Sequence, residues 1–201
     1  LLAGEKRLLE MIARGTPLAI VLDALCRLVE ELSDRSLSSI LLLDPDGQRL
    51  RQGAAPNLPK SYTAAIDGSL IGPVAGSCGT AAYRKEAVTV TDIAHDPLWA
   101  AYRDLALPHG LRACWSTPVF ASDARVLGTF AIYFREPRSP TPPEQSIIEQ
   151  ITNLASIAIE RTRAEEERRA HLGFLEGMDQ VNRAIQGTND IEQMLSDVLE
   201  L

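Results

Sequence analysis

The chain has 201 residues, 45% of them hydrophobic, enough apolar material for a well-packed domain with attachments. Its 20 Lys plus Arg stand against 27 Asp plus Glu, a net charge of -7, so no general attraction to phosphate or anionic lipid argues for nucleic acid as a partner or for membrane contact. Three cysteines, Cys26, Cys78 and Cys114, are widely spaced without a Cys-x-x-Cys pair, which fits reduced thiols in a cytoplasmic protein and excludes a disulfide framework or zinc site.

The first residues are helical in pattern, with Leu1 in place of an initiator methionine, and the sequence reads as a piece of a longer polypeptide. Leu18, Val21, Leu22, Leu25, Leu28, Val29 and Leu32 recur at helical spacing and predict a helix from near Pro17, with Thr16 as its cap. Ser38 to Asp44, the turn residues Pro45-Asp46-Gly47, and Arg49 to Gly53 read as a hairpin. Residues 60 to 67 are weakly helical. Gly76-Ser77-Cys78-Gly79-Thr80-Ala81-Ala82-Tyr83 reads as a glycine turn and a short helix, followed by a β segment over Ala87 to Thr91. Asp96-Pro97 opens a helix ended by Pro108 and Gly110, and Leu111 to Val119 and Val126 to Phe134 form strands joined through Ser122-Asp123. On the first of these, period-two alternation places Cys114 and Ser116 on one face and Ala113, Trp115 and Thr117 on the other, with neither face assigned inward. The order of elements is that of an α+β domain.

Thr141-Pro142-Pro143-Glu144 is a capping box that starts a long helix. Its first half carries Ile147, Ile148, Ile151, Leu154, Ala155 and Ala158 at helical spacing and is expected to pack. Beyond Ile159 the helix turns polar, with Glu165 four residues before Arg169, and Leu172, Leu175, Met178, Val181 and Ile185 then resume at coiled-coil spacing. The segment Met11 to Thr16 is echoed by Arg183 to Thr188, with Gly15 and Gly187 matching. This recurrence predicts a leading helix over 1–14, one domain over 15–160, a signalling or coiled-coil helix over 161–187, and the first helix of a truncated second domain over 188–201.

The stretches Gly76-Ser77-Cys78-Gly79-Thr80-Ala81-Ala82, Asp92-Ile93, Asp96-Pro97-Leu98-Trp99 and Trp115-Ser116-Thr117-Pro118 resemble GAF domains of bacterial sensor histidine kinases and cyclic-di-nucleotide signalling proteins. The resemblance spans about Gly15 to Ile159. It implies a central antiparallel sheet of about six strands flanked by helices, a long C-terminal signalling helix, and a parent protein of the sensor kinase or nucleotide cyclase type. GAF modules that bind cyclic nucleotides carry an Asn-Lys pair and a Phe-x-x-x-Asp-Glu motif. Here there is no Asn-Lys dipeptide, and Phe134 is followed by Arg135-Glu136. Bilin attachment resembles a Cys-His pair, whereas Cys78 precedes Gly79 and Cys114 precedes Trp115.

Cys78, Thr80, Trp99, Tyr102, Cys114, Ser116 and Tyr133 are the candidate ligand-binding residues, with Trp115 a further aromatic candidate for the cavity wall. The alternative for these aromatics is that they fill the core. His95, His109 and His171 are scattered, and His95 between Asp92 and Asp96 reads as a cap or turn residue, so neither metal nor catalytic residues are assigned and no cofactor is identified. The expected function is a cytoplasmic small-molecule or redox sensory module. It would form a homodimer through its helices and regulate an output domain of the same polypeptide. Two alternatives stand beside it: an enzyme like the free methionine sulfoxide reductases, whose Cys-Gly-Thr-Ala turn is similar to Cys78 to Ala81, and a ligand-free dimerisation spacer.

Overall fold

A helix whose apolar residues fall three and four apart must bury that stripe, and Val21, Leu22, Leu25, Cys26 and Val29 do so along α2 (Leu18–Leu32). Each such fully buried aliphatic side chain contributes about 1.5–3 kcal/mol. Before it lies α1 (Leu2–Ala13), which buries Leu8 and Ile12. Between the two, Gly15 turns at φ +71, and the Thr16 amide donates to Met11 O, closing α1. Thr16 is therefore not the cap of α2: Pro17 occupies that position, and no side chain caps the turn. The structure is a computed structural model that describes residues 2–33 and 35–199, with side chains described as far as residue 183.

The strands β1 (Leu37–Leu43), β2 (Arg49–Ala54), β3 (Ser69–Leu70), β4 (Val88–Val90), β5 (Ala113–Phe120) and β6 (Val126–Phe134) form one sheet in the order β3-β2-β1-β6-β5-β4. Every pairing is antiparallel. The central strand β6 pairs with β1 through Ile40 opposite Phe130 and with β5 through Trp115 opposite Ile132. The backbones crowd at Gly128, where a Cβ would lie 2.1 Å from Leu41 O. β3, only two residues long, was not expected from the sequence.

Each face of the sheet supports its own core. On one, α1, α2 and the first part of α6 (Pro142–Leu199) cover Ile40, Trp115, Phe130, Ile132 and Phe134 with Ile148, Ile151, Leu154, Ala155 and Ile159. On the other, α3 (Lys60–Ile66), α4 (Gly76–Arg84) and α5 (Arg103–Ala106) cover Leu41, Cys114, Ala131 and Tyr133. The single helix expected after Asp96 is instead three short pieces, a 3₁₀ turn over Pro97–Trp99, then α5, then a second 3₁₀ turn over Leu107–His109. Residues 100–102 form a turn between the first piece and α5, and Gly110, at φ +72, ends the last piece.

At the start of α6 the capping box forms in part: Glu144 Oε2 accepts from the Thr141 amide at 2.9 Å and from its hydroxyl at 2.8 Å. Arg138 joins the same carboxylate in two bonds of 2.9 and 3.0 Å. Its guanidinium lies 4.4 Å from the Phe134 ring centroid, and its carbonyl accepts from Trp115 Nε1 at 3.1 Å. The helix start is thus fixed to the sheet by charge, by a cation over an aromatic face, and by a hydrogen bond.

The chain divides into two compact units, Leu1–Glu160 and Arg161–Leu201. In the second, Arg161 pairs with Glu165, and Leu172, Phe174, Leu175, Met178 and Val181 are exposed. The backbone is helical through Gly187, where Gly15 instead turns; the side chains of the opening helix expected over 188–201 lie outside the described residues. Among the described residues no helix is long and apolar enough to cross a membrane.

The contrast between crowded and open glycines is testable. Gly128→Ala should lower stability by about 1–3 kcal/mol or more by forcing β1 and β6 apart. Gly173, in an exposed helix with nothing within 4 Å of a built Cβ, should gain roughly 0.5–1 kcal/mol of helix stability on the same change. Urea unfolding followed by circular dichroism measures both.

Candidate functional site

α4 begins where the sequence places its Gly-Ser-Cys-Gly-Thr turn, and Cys78 sits within its first helical turn rather than before it. Gly79 lets this helix press close: a Cβ there would stand 3.1 Å from Leu70 O and 2.7 Å from Ala75 Cβ. Thr80 Oγ1 accepts from the Ala75 amide at 3.0 Å and so ties the turn to the helix. Ser77 Oγ accepts from Trp99 Nε1 at 3.0 Å and donates to Cys114 O at 3.1 Å, joining α4, the 3₁₀ turn and β5 in one buried chain.

Between α4 and the sheet lies a cavity of about 30 Å³, lined by Cys78, Trp99, Tyr102 and Tyr133 together with Leu41, Tyr62, Ile66, Ser69, Ser77 and the Ala75, Gly76 and Gly79 backbone. Its size suits about two water molecules, far below the several hundred Å³ of a drug-sized ligand site. None of the lining residues is charged. Four of the seven residues singled out in the sequence therefore line the cavity. Thr80, Cys114 and Ser116 do not: Thr80 is a fully buried turn brace, while Cys114 and Ser116 are buried in the sheet behind the cavity. Trp115 is corrected more sharply. Its indole stacks at 4.5 Å on Phe134 in the opposite core, because the pleat that sends Cys114 toward α4 sends Trp115 toward α6.

Tyr62 was missed. It packs edge-on against Tyr133 at 5.9 Å, and only its aromatic character in a weakly helical segment signalled it. Tyr133 Oη lies 3.8 Å from Cys78 Sγ, and Ser39 Oγ donates to Tyr133 Oη at 3.5 Å. The neighbouring Cys114 thiol holds the Cys78 thiol below the ordinary cysteine range, against the opposing effect of burial. Burial and that same partnership push Cys114 well above its usual value. The third cysteine, Cys26, belongs to the other core, and burial pushes it up to about 12.

His95 takes the turn role expected of it. Its Nδ1 lies 2.6 Å from Asp92 Oδ2, and this contact, ahead of Arg112, holds the Asp92 carboxyl below the usual carboxylate range. Asp96 Oδ1 accepts from the Leu98 amide and caps the 3₁₀ turn. No group of three or more His, Cys, Asp or Glu side chains among the described residues could hold a metal ion.

The sheet order, the two cores and the α4 turn over a small cavity define the class. A family profile described as GAF domain matches residues 15–160, and the chain belongs to the GAF domain family. It is 41% identical over 164 residues to a methyl sulfide methyltransferase-associated sensor of Methanosarcina acetivorans, covering 82% of this chain and 16% of that protein. The chain thus spans about a sixth of that relative's length. A solved domain described as part of a two-component sensor histidine kinase protein of Sinorhizobium meliloti 1021 superposes with a TM-score of 0.63 at 23% identity, covering 77% of this chain and 98% of that one. The free methionine-R-sulfoxide reductase of Neisseria meningitidis, solved with its substrate, gives a TM-score of 0.63 at 18% identity, covering 80% and 89%. At these identities the solved structures share the fold.

Two outcomes follow from this geometry. Ser77→Ala leaves the buried Trp99 Nε1 without an acceptor and should cost about 1–3 kcal/mol, measured by chemical denaturation. Because the lowered Cys78 thiol ionises earlier, its reaction with a small thiol reagent should reach half its plateau rate at lower pH than that of free cysteine. Removing its partner's donor in Cys114→Ala should move that midpoint upward.

Proposed function

We propose that this chain is the sensory and dimerisation module of a larger signalling protein. A small uncharged molecule or a redox state is read between α4 and the sheet, and the change passes through α6 to an output domain of the same polypeptide. One observation carries this reading: β5 sends Cys114 toward the cavity and the next residue, Trp115, toward the Arg138 and Glu144 bonds that hold the start of α6. A shift of β5 on the cavity side therefore acts on the helix start within one residue. Such a device works by shifting the balance of two arrangements, so any stimulus acts only through its differential affinity for them.

The sensor description of the Methanosarcina acetivorans relative supports the reading, which includes a domain over 15–160, a signalling helix over 161–187 and a second domain opening over 188–201. The output is of the histidine kinase or nucleotide cyclase type, the setting is cytoplasmic, and exposed Leu172, Leu175, Met178 and Val181 supply the homodimer contact. A reductase acting on a free amino acid is disfavoured, because a zwitterion needs charged partners and the cavity lining has none. The ligand-free spacer is the second reading, and the small size of the cavity favours it.

Native mass spectrometry of the protein purified from its own cells separates the two. The sensory reading expects a homodimer with a bound species or an oxidised thiol pair that changes with growth conditions. A dimer that is always unliganded and fully reduced gives the spacer instead. Glu166→Pro, costing the helix about 3 kcal/mol, should abolish the dimer in sedimentation while the first unit keeps its urea midpoint. A dimer that survives this change would remove the helices as its interface.

A further inference from the structure

Two features of the sheet behind the cavity are unexplained by packing. Ser116 Oγ and Thr129 Oγ1, in residues 1% and 0% exposed, have no hydrogen-bond partner of regular geometry. Leaving a buried hydroxyl unpaired costs about 1–3 kcal/mol, and here two occur on adjacent strands of one face, with Ser116 opposite Ala131 and Thr129 opposite Pro118. Both stand near enough to the Cys78 sulfur to favour its charged form. With Tyr133 Oη they form a set of neutral donors gathered around one sulfur atom. Such a set stabilises a thiolate, or an oxygen carried on that sulfur. The second feature is Cys114, brought beside Cys78 from a strand far along the chain: its carbonyl accepts from the hydroxyl of Ser77, the residue before Cys78, and it stands opposite Tyr133, whose Oη lies 3.8 Å from Cys78 Sγ in the same core.

We propose that Cys78 and Cys114 are a peroxide-oxidised dithiol, with hydrogen peroxide as the substrate of the cavity, Cys78 as the attacking sulfur and Cys114 as the resolving one. A two-heavy-atom oxidant fits a cavity of about 30 Å³, and an uncharged one fits a lining without charged side chains. In the first step Cys78 Sγ attacks one peroxide oxygen, so that an S–O bond forms and the O–O bond breaks. The leaving hydroxide takes the thiol proton and departs as water, leaving Cys78 as a sulfenic acid held by Ser116, Thr129 and Tyr133. In the second, Cys114 Sγ attacks Cys78 Sγ, the S–O bond breaks, and the hydroxyl leaves with the Cys114 proton as a second water. The dithiol gives two electrons and becomes a disulfide, and one peroxide becomes two waters. Cys26 takes no part, being buried in the other core with its thiol held protonated.

This chemistry deepens the sensory reading and rests on it only for its consequence: a bond from α4 to Cys114 pulls on β5 next to Trp115. The test uses the reduced full chain exposed to hydrogen peroxide, then blocked, mapped by peptide mass and compared with an untreated sample. The expected product is lighter by two hydrogens, links the Cys78 and Cys114 peptides, leaves Cys26 alkylatable after unfolding, and reverts with dithiothreitol. Cys114→Ser should stop at a Cys78 one oxygen heavier that a sulfenate-specific dione captures, and Ser116→Ala with Thr129→Val should slow the first step several-fold. Peroxide-treated folded protein with all three thiols intact, or with Cys26 oxidised as readily as Cys78, overturns the proposal. Spin labels at position 165 distinguish the two levels. A disulfide that forms without changing the distance between labels upholds the chemistry and removes the sensory reading, whereas no disulfide removes the chemistry alone.

Discussion

The pleat of β5 is the constraint on which the arrangement rests. Successive residues of a strand must point to opposite faces, and β5 lies in a sheet with helices packed on both sides, so each of its faces meets a core. Cys114 and Ser116 therefore enter one core while Ala113 and Trp115 enter the other. A one-residue slip against β6 would exchange the two sets, putting an indole beneath α4 and a thiol beneath α6. The register, with Cys114 opposite Tyr133 and Trp115 opposite Ile132, thus decides cavity and helix attachment together.

The two faces differ in chemistry. The face beneath α6 is mostly apolar, and its Arg138–Glu144 pair lies at the margin with side chains 28% and 14% exposed, where water still offsets desolvation. The face beneath α4 carries Ser39, Ser116, Thr129, Cys114 and Tyr133, each buried. A floor of small polar side chains packs less tightly than branched aliphatics would and leaves donors in search of acceptors.

Much of the architecture was legible in the sequence because it follows from short-range rules. The apolar stripe of α2, the Pro45-Asp46-Gly47 turn, the strands β5 and β6, and the Thr141 to Glu144 start of α6 are each decided within a few residues. Where local rules were ambiguous the reading failed. Thr16 resembles a cap, but it lies one residue too early, with Pro17 in the cap position of α2. Asp96-Pro97 does start a helical turn, but the chain turns over residues 100–102 and resumes as separate short pieces in place of the longer helix expected. β3 is a strand only because Ser69 and Leu70 lie beside Leu50 and Arg49, and two residues carry no periodicity.

By itself the sequence determined the family, the α+β order of elements, the glycine turn that carries Cys78, and the division of β5 into two faces. All of these depend on residue type and spacing along the chain. Only the tertiary structure decided which face looks toward α4, that Cys78 and Cys114 share one core, that Leu41, Tyr62 and Ile66 close the cavity, and that two hydroxyls lie unpaired behind it. Those facts depend on which distant segments share a contact and on how much space is left between them, and no local pattern encodes either. The physical reason is that alternation along a strand fixes relative orientation, whereas the direction of the interior is set by the helices that the rest of the chain lays on each side.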